Sequence, residues 1–381
     1  MRNIIKNYSK NLIHFFSYAI RSLLNSFNER AVYYFFEALR KSSQKNPNSQ
    51  LLTEFKIYPK KPKRLFPVIP EIKDTFIILQ GPILDQSFVQ DSVDWYRSCG
   101  IENIIVSTND SNIKINKVEV VTVPKSSIKG LGNENNHIRT TRSALDQIPE
   151  DKLVIKTRSD MRIYSELALA NIPLKHNQYL STKTLDGKRL GCISNNSVIS
   201  KINNISDHFY VARCSQLRKM FSLNEREINA TLKEIDLNDD NLFRRPSDGT
   251  WMMKSIKGTY IYTEFYGEQF LFNSFRKNCL KNDFSEKRIL NKLDYIDSLS
   301  RYIQIIKDCI YIVDPDELDL YWLKKNISTL PSDYNNKYQN PKPLAGMRLT
   351  SLNWLSLIYD DKYEEKIFKF LDSLDDDEPL F

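Results

Sequence analysis

The stretch KLVIKTRSDMRIY, residues 152–164, decides the fold, because an apolar run carries the chain straight into the mixed-charge cluster Arg158, Asp160 and Arg162. Val154 and Ile155 suit a strand covered on both faces, and in open α/β sheets ligands gather at the carboxyl ends of such strands. Alternation along an extended chain puts Lys156, Arg158 and Asp160 on one side. A carboxylate at that place can hold a divalent cation, and arginine forks beside it can bind phosphate oxygens. An Arg–Asp pair that merely caps the strand is the competing reading.

Working outward, apolar runs and amphipathic stretches alternate. DTFIILQGPI (74–83) reads as a buried strand closed by Gly81-Pro82, and SFVQDSVDWYRSC (87–99) has helical spacing. ENIIVSTND (102–110) and KVEVVTVP (117–124) read as strands, NNHIRTTRSALDQI (135–148) as a helix, and KLVIKTRSD (152–160) as the next strand. This β-α-β-β-α-β order predicts an α/β fold with a mostly parallel sheet flanked by helices. Its ligands belong at the strand-end loops: Gln80 to Ile83, Ser107 to Asp110 and Arg158 to Arg162. Further on, HFYVARCSQLRKMF reads as a strand entering a helix. EFYGEQFLFNSFRK reads as a helix starting near Tyr266 or Gly267, and YIQIIKDCIYIVD (302–314) as another strand.

Composition narrows the chemistry. Only 10 glycines occur in 381 residues, and no glycine-rich phosphate loop is present, so phosphate must be met by side chains or a metal. The five cysteines form no C-x-x-C pair and read as reduced thiols of a cytoplasmic protein. Four histidines, His14, His137, His176 and His208, are too few and scattered for a zinc site or an evident histidine triad.

The net charge of +8 is uneven: residues 1–65 hold 13 Lys or Arg against 3 Asp or Glu, and the rest 42 against 44. Residues 1–41 read as a basic amphipathic helical arm, with no apolar run long enough to span a bilayer. Two readings of it stay open: contact with an anionic membrane surface at the inner face of the cell membrane, or packing on the main domain. Aromatic residues within the arm also fit nucleic acid, but they fall on its apolar face and no binding motif accompanies them, so no nucleic-acid partner is expected. Residues 42–72 have a linker's composition, 73–285 form the main domain, and 286–381 a C-terminal extension ending in an acidic tail.

FIILQGPI, then IIVSTND followed by NNHIRTT, then VIKTRSDMRI together resemble the ordered blocks of the WavE lipopolysaccharide-synthesis family of bacterial glycosyltransferases, over roughly residues 74–275. ISDHFYVAR and YGEQFLFNSF resemble that family's downstream segments. The resemblance implies a GT-A-like (Rossmann-like) nucleotide-sugar transferase acting on a lipid-linked or oligosaccharide acceptor of lipopolysaccharide or surface polysaccharide. Where such a fold carries Asp-x-Asp for Mg2+ or Mn2+, this chain reads Arg158-Ser159-Asp160, with one carboxylate. A non-catalytic scaffold of the same fold is the alternative.

On this reading Asp160 is the candidate metal ligand. Gln80, Gly81, Pro82, Ser107, Thr108, Asn135, Arg139, Arg142, Arg158 and Arg162 are the candidate nucleotide-sugar contacts, with Lys156 beside them. Glu268, following Tyr266-Gly267 at the start of the expected helix, is the first candidate for the base that takes the acceptor proton, and Asp207, just before HFYVAR, is the second.

Overall fold

Six strands running one way and a seventh running against them form the central sheet. The structure is a computed structural model, and it describes residues 70–128, 130–180, 189–194, 197, 199, 202–234, 242–244, 251–253, 267–281, 292–315, 317–323, 327–328 and 349–372. The chain divides after Lys63. The expected arm, nearly all of the linker and the acidic tail lie outside the described residues.

The strands are β1 (Phe76–Gln80), β2 (Asn103–Thr108), β3 (Glu119–Thr122), β4 (Leu153–Arg158), β5 (Met161–Ile163), β6 (Leu190–Ile193), β7 (Phe209–Arg213), β8 (Leu242–Arg244), β9 (Trp251–Met253), β10 (Ile310–Val313), β11 (Leu320–Trp322) and β12 (Ile327–Ser328). The sheet order is β10-β6-β7-β4-β1-β2-β3. β1, β2, β3 and β4 pair in parallel, as do β6 and β10. β7 is antiparallel to both β4 and β6. The α/β class with a mostly parallel sheet flanked by helices is therefore the one the sequence predicts.

The central strands are buried along nearly their whole length because helices cover both faces, which is why FIILQ and NIIVST carry no polar alternation. The helices are α1 (Pro70–Lys73), α2 (Gln86–Ser98), α3 (Glu134–Leu145), α4 (Glu166–Leu180), α5 (Cys214–Met220), α6 (Ile228–Glu234), α7 (Gly267–Ser274), α8 (Lys292–Cys309), α9 (Ser351–Tyr359) and α10 (Asp361–Asp372). Asp85 caps α2, its carboxylate accepting from the Ser87 and Phe88 amides at 2.9 and 3.2 Å. The buried face of α2, including Phe88, Ser92, Trp95 and Tyr96, lies over β5: Trp95 Nε1 donates to the Ile163 carbonyl at 2.7 Å, and the Ile163 amide donates to Tyr96 OH at 3.0 Å.

Two details differ from the sequence reading. YIQIIKDCIYIVD is not all strand: helix α8 runs to Cys309, and only Ile310–Val313 is extended. Tyr295, Leu299, Tyr302, Ile303 and Ile306 are buried at helical spacing, so the helix period wins over the β-branched composition. Residues beyond 285, expected as an extension, also supply an outer strand of the main sheet, since β10 pairs with β6. Gly191 makes that pairing possible. It stands opposite Tyr311, and any Cβ there would overlap the tyrosine ring.

A smaller sheet, β12-β11-β5, forms where the chain turns after β4. Its register sets Trp322 opposite Met161, next to the β4–β5 turn. No helix among the described residues is long and apolar enough to cross a membrane.

Candidate functional site

Parallel pairing places the ends of β1, β2 and β4 side by side: Gln80 is opposite both Ser107 and Arg158. The reversal of β7 brings its beginning, not its end, to the same edge. Thr157 pairs with Phe209 and Lys156 with Tyr210, so Asp207 and His208 enter the sheet beside the carboxyl end of β4.

Helix α3 locks the first part of this edge. Gln80 Nε2 donates to Thr140 Oγ1 at 2.9 Å, and Ser107 Oγ donates to the Thr140 carbonyl at 2.7 Å. These bonds account for a threonine within a helix, where local propensity disfavours it. The loops are stitched in the same way. Asp110 Oδ2 accepts from the Ile83 amide at 2.6 Å and from Thr108 Oγ1 at 3.3 Å. Gly81 has φ +126°, a left-handed value that favours glycine, and its amide donates to the Ser107 carbonyl while Ser159 Oγ donates to the Pro82 carbonyl.

Charge collects at the end of β4. Arg158 grips Asp160 through a fork, Nε to Oδ1 at 2.8 Å and Nη2 to Oδ2 at 2.9 Å. Trp322 Nε1 donates to the same Oδ2 at 3.1 Å, and the Asp160 side chain is 2% exposed. Burial works against the arginine's charge, yet the fork overcomes it and raises the Arg158 pKa. Glu268, in the first turn of α7, adds to that field. Lys156 is fully buried, and its ammonium donates to the Asp207 carbonyl and lies 5.6 Å from the centre of the Tyr210 ring. Burial brings its pKa down to about 7, with Asp207 opposing and Arg158 adding to the shift.

Asp207 sits between two imidazoles. His137 Nδ1 is 3.1 Å from Oδ2, and His208 Nε2 is 3.6 Å from Oδ1. Burial pushes the Asp207 carboxyl up, but the hydrogen bond from His137, the flanking imidazoles and the Lys156 ammonium outweigh it and hold the group well below the usual carboxylate range. Both histidines are brought down to about 4, chiefly by burial, so they are neutral at neutral pH. His137 Nε2 and His208 Nδ1 are buried without a hydrogen-bond partner. The Tyr210 hydroxyl is similarly placed.

The structure thus brings Gln80, Ser107, Arg158, Asp160 and Asp207 to one sheet edge, with Glu268 acting on Arg158 through its charge, and adds Lys156, His137, His208 and Trp322. The histidines escape a reading that sees them 71 positions apart; the helix α3 that carries His137 and the antiparallel pairing of β4 with β7 unite them. The block NNHIRTT held the one available signal.

Other candidates serve the scaffold. Asn135 bridges loops, donating to the Ile128 and Arg226 carbonyls and accepting from the Arg226 amide. Arg139 pairs with Glu225 at 3.2 Å, and Arg142 donates to the Phe221 and Leu223 carbonyls. Arg162 is 1% exposed and turned toward α2, donating to Ser92 Oγ, Tyr164 OH and the Phe88 carbonyl. The turn at Ser159–Asp160 between β4 and β5 breaks the strand alternation, so Arg158 and Arg162 do not converge.

Asp160 does not fit as the holder of a divalent cation. Such an ion wants six or more oxygen ligands, and here both carboxylate oxygens accept from a guanidinium and an indole N–H. Among the described residues no group of three or more His, Cys, Asp or Glu side chains is placed to hold a metal ion.

No protein-family model and no curated protein matches the chain. Among solved structures, the chain is similar to 2-C-methyl-D-erythritol 4-phosphate cytidylyltransferase of Francisella tularensis. The identity is 13% and the TM-score 0.26, over 43% of this chain and 87% of that one.

Proposed function

We propose that this chain is a glycosyltransferase of the WavE kind, moving a sugar from a nucleotide donor to a saccharide acceptor of lipopolysaccharide or surface polysaccharide. One observation carries the reading: two cations, Lys156 and Arg158, stand at the carboxyl edge of a mostly parallel sheet, beside Asp207 and within the field of Glu268. Ligand sites of open α/β sheets belong at that edge. A departing nucleoside diphosphate is the kind of anion such a pair stabilises.

The residues divide the work. Asp160 holds Nε and Nη2 of Arg158, so the guanidinium meets a phosphate in a fixed orientation. Lys156 is a cation whose charge an arriving phosphate would reinforce, since a nearby anion raises a lysine pKa. Gln80, Ser107 and the Gly81-Pro82 turn line the neighbouring strand ends, where the nucleotide's base and ribose would lie.

Isothermal titration of the full chain with UDP, GDP, CDP and dTDP, and with their common sugar conjugates, tests this. Saturable binding of at least one, weakened by Arg158→Lys, is the expected result. No heat from any of them overturns it.

A further inference from the structure

We infer that His137, oriented by Asp207, takes the proton from the acceptor hydroxyl. This inference rests on the transferase reading above. It moves the proton acceptor from a carboxylate to an imidazole that sequence reasoning had set aside.

The geometry around the Asp207 carboxylate separates Asp207, His137 and His208. Asp207 is a poor direct acceptor: its Oδ2 is engaged by His137, its Oδ1 faces His208, and its field keeps the carboxylate ionised. A carboxylate so held does a different job for a neighbouring imidazole. It fixes the proton on Nδ1 and leaves the lone pair on Nε2. His137 Nε2 is that lone pair, and it is buried with no hydrogen-bond partner. A buried acceptor left unpaired costs about 1 to 3 kcal/mol, so a hydroxyl arriving there is favoured. His208 is less suited, because at 3.6 Å its Nε2 is outside hydrogen-bond reach of Asp207, and its ring packs edgewise on Trp322.

The step balances. The acceptor oxygen forms a bond to the anomeric carbon of the donor sugar, and its proton passes to His137 Nε2. The bond from that carbon to the diphosphate oxygen breaks, and its electron pair leaves with the nucleoside diphosphate, facing Arg158 and Lys156. The imidazolium is transiently stabilised by Asp207, then gives its proton to water as product departs.

The groups facing His137 are Lys156 and Arg158 on β4, Asp207 before β7, with His208 on the far side of that carboxylate, and the Phe221 ring beyond α5. Burial, with Lys156 and then Arg158 adding to it, holds the imidazole neutral and weakly basic at neutral pH. Donor phosphates near Lys156 and Arg158 offset the cations' share of that shift, so donor binding makes His137 a stronger base.

The experiment uses the full chain with the nucleotide sugars named above, water serving as acceptor, and follows release of nucleoside diphosphate. Wild type, His137→Ala, His137→Ala with added imidazole, and Asp207→Asn are compared, together with calorimetric affinity for the free nucleoside diphosphate. The expected result is a turnover loss of about 10²- to 10⁴-fold in His137→Ala with nucleotide affinity within about threefold, and partial recovery on adding imidazole. A merely structural histidine gives no imidazole rescue, and that outcome overturns the inference, as does turnover close to wild type. Should His137→Ala fail to fold, His137→Gln takes its place: near-normal turnover overturns the assignment, and a loss of about 10²-fold or more at unchanged nucleotide affinity supports it. A wild type that binds no nucleotide removes the transferase reading itself, a failure visible before any variant is compared.

Discussion

Arg158 and Asp160 close a two-point fork at the end of β4, with the Trp322 indole donating to the same carboxylate. The pair lies in a sequence position where a metal-binding carboxylate was expected, and the two roles predict different behaviour. A carboxylate that orients an arginine is part of the fold's electrostatic balance, so its loss strands a cation in a largely buried place. Asp160→Asn is accordingly expected to lower unfolding stability by about 3 to 5 kcal/mol, read by urea denaturation. An Asn variant as stable as wild type would mean that the fork adds nothing to the fold's electrostatic balance.

Lys156 should trade stability for binding. Its folded pKa, about 7, is below the ordinary lysine value of 10.5 because of burial. Between those values the unfolded chain binds a proton that the folded chain does not, so stability rises with pH across that window. Lys156→Met removes the effect. It should flatten the pH dependence of stability between 7 and 10. The same change should weaken nucleoside diphosphate binding at least about tenfold, since a charge-assisted hydrogen bond is worth roughly 1.5 to 3 kcal/mol. Unchanged affinity would take Lys156 out of the site.

Much of this arrangement was legible because of where the strands lie. β1, β2 and β4 are covered on both faces, so their sequences are continuous apolar runs whose polar ends stand out: Gln80, Ser107, Arg158. Strand direction leaves no such mark. Nothing in HFYVAR says that β7 runs backward, yet that reversal sets Asp207 and His208 beside Lys156. The turn at Ser159–Asp160 was equally hidden, and with it the separation of Arg162 from Arg158. Trp322 joins the site through β11, which follows β5 by some 160 positions.

Acid should destabilise the protein well above the carboxylate range. His137, His208 and His176 have folded pKa values near 4, each lowered first by burial, against an ordinary 6.5. Between pH 6.5 and 4 the unfolded state takes up protons that the folded state refuses, so stability falls as pH falls through that window. Each such histidine contributes up to about 3 kcal/mol. Asp207 acts lower: its depressed pKa gives stability present above about pH 4, lost as pH drops toward its folded value. Urea unfolding at pH 7, 5.5 and 4.5 should show the steep loss, and a flat profile down to pH 4.5 would mean that the imidazoles are already solvated.

Gly191 gives a test of the sheet independent of the site. It faces Tyr311 across the β6–β10 pair, and Tyr311 is buried, so a methyl group at 191 has no room unless the strands part or the ring turns. Gly191→Ala should therefore lower stability by about 1 to 3 kcal/mol, the usual range for overpacking. The melting temperature reads it directly. A neutral substitution would mean that β10 is not seated against β6.

Arg142 and Arg158 offer the sharpest contrast between scaffold and site. Both are arginines of the expected nucleotide-binding set, and both are largely buried. Arg142, on α3, donates to the Phe221 and Leu223 carbonyls just after α5, which ties two helices together. Removing it leaves those carbonyls short of partners, so Arg142→Ala should lose about 1 to 3 kcal/mol of stability while nucleotide affinity stays within twofold. Arg158→Lys keeps the charge but cannot reproduce a planar fork, so it should lose both stability and nucleotide affinity, the latter about tenfold or more. Calorimetry on the two variants side by side, with urea unfolding of each, distinguishes the roles. If Arg142→Ala is the one that loses the nucleotide, the site lies on the α3 face and not at the end of β4.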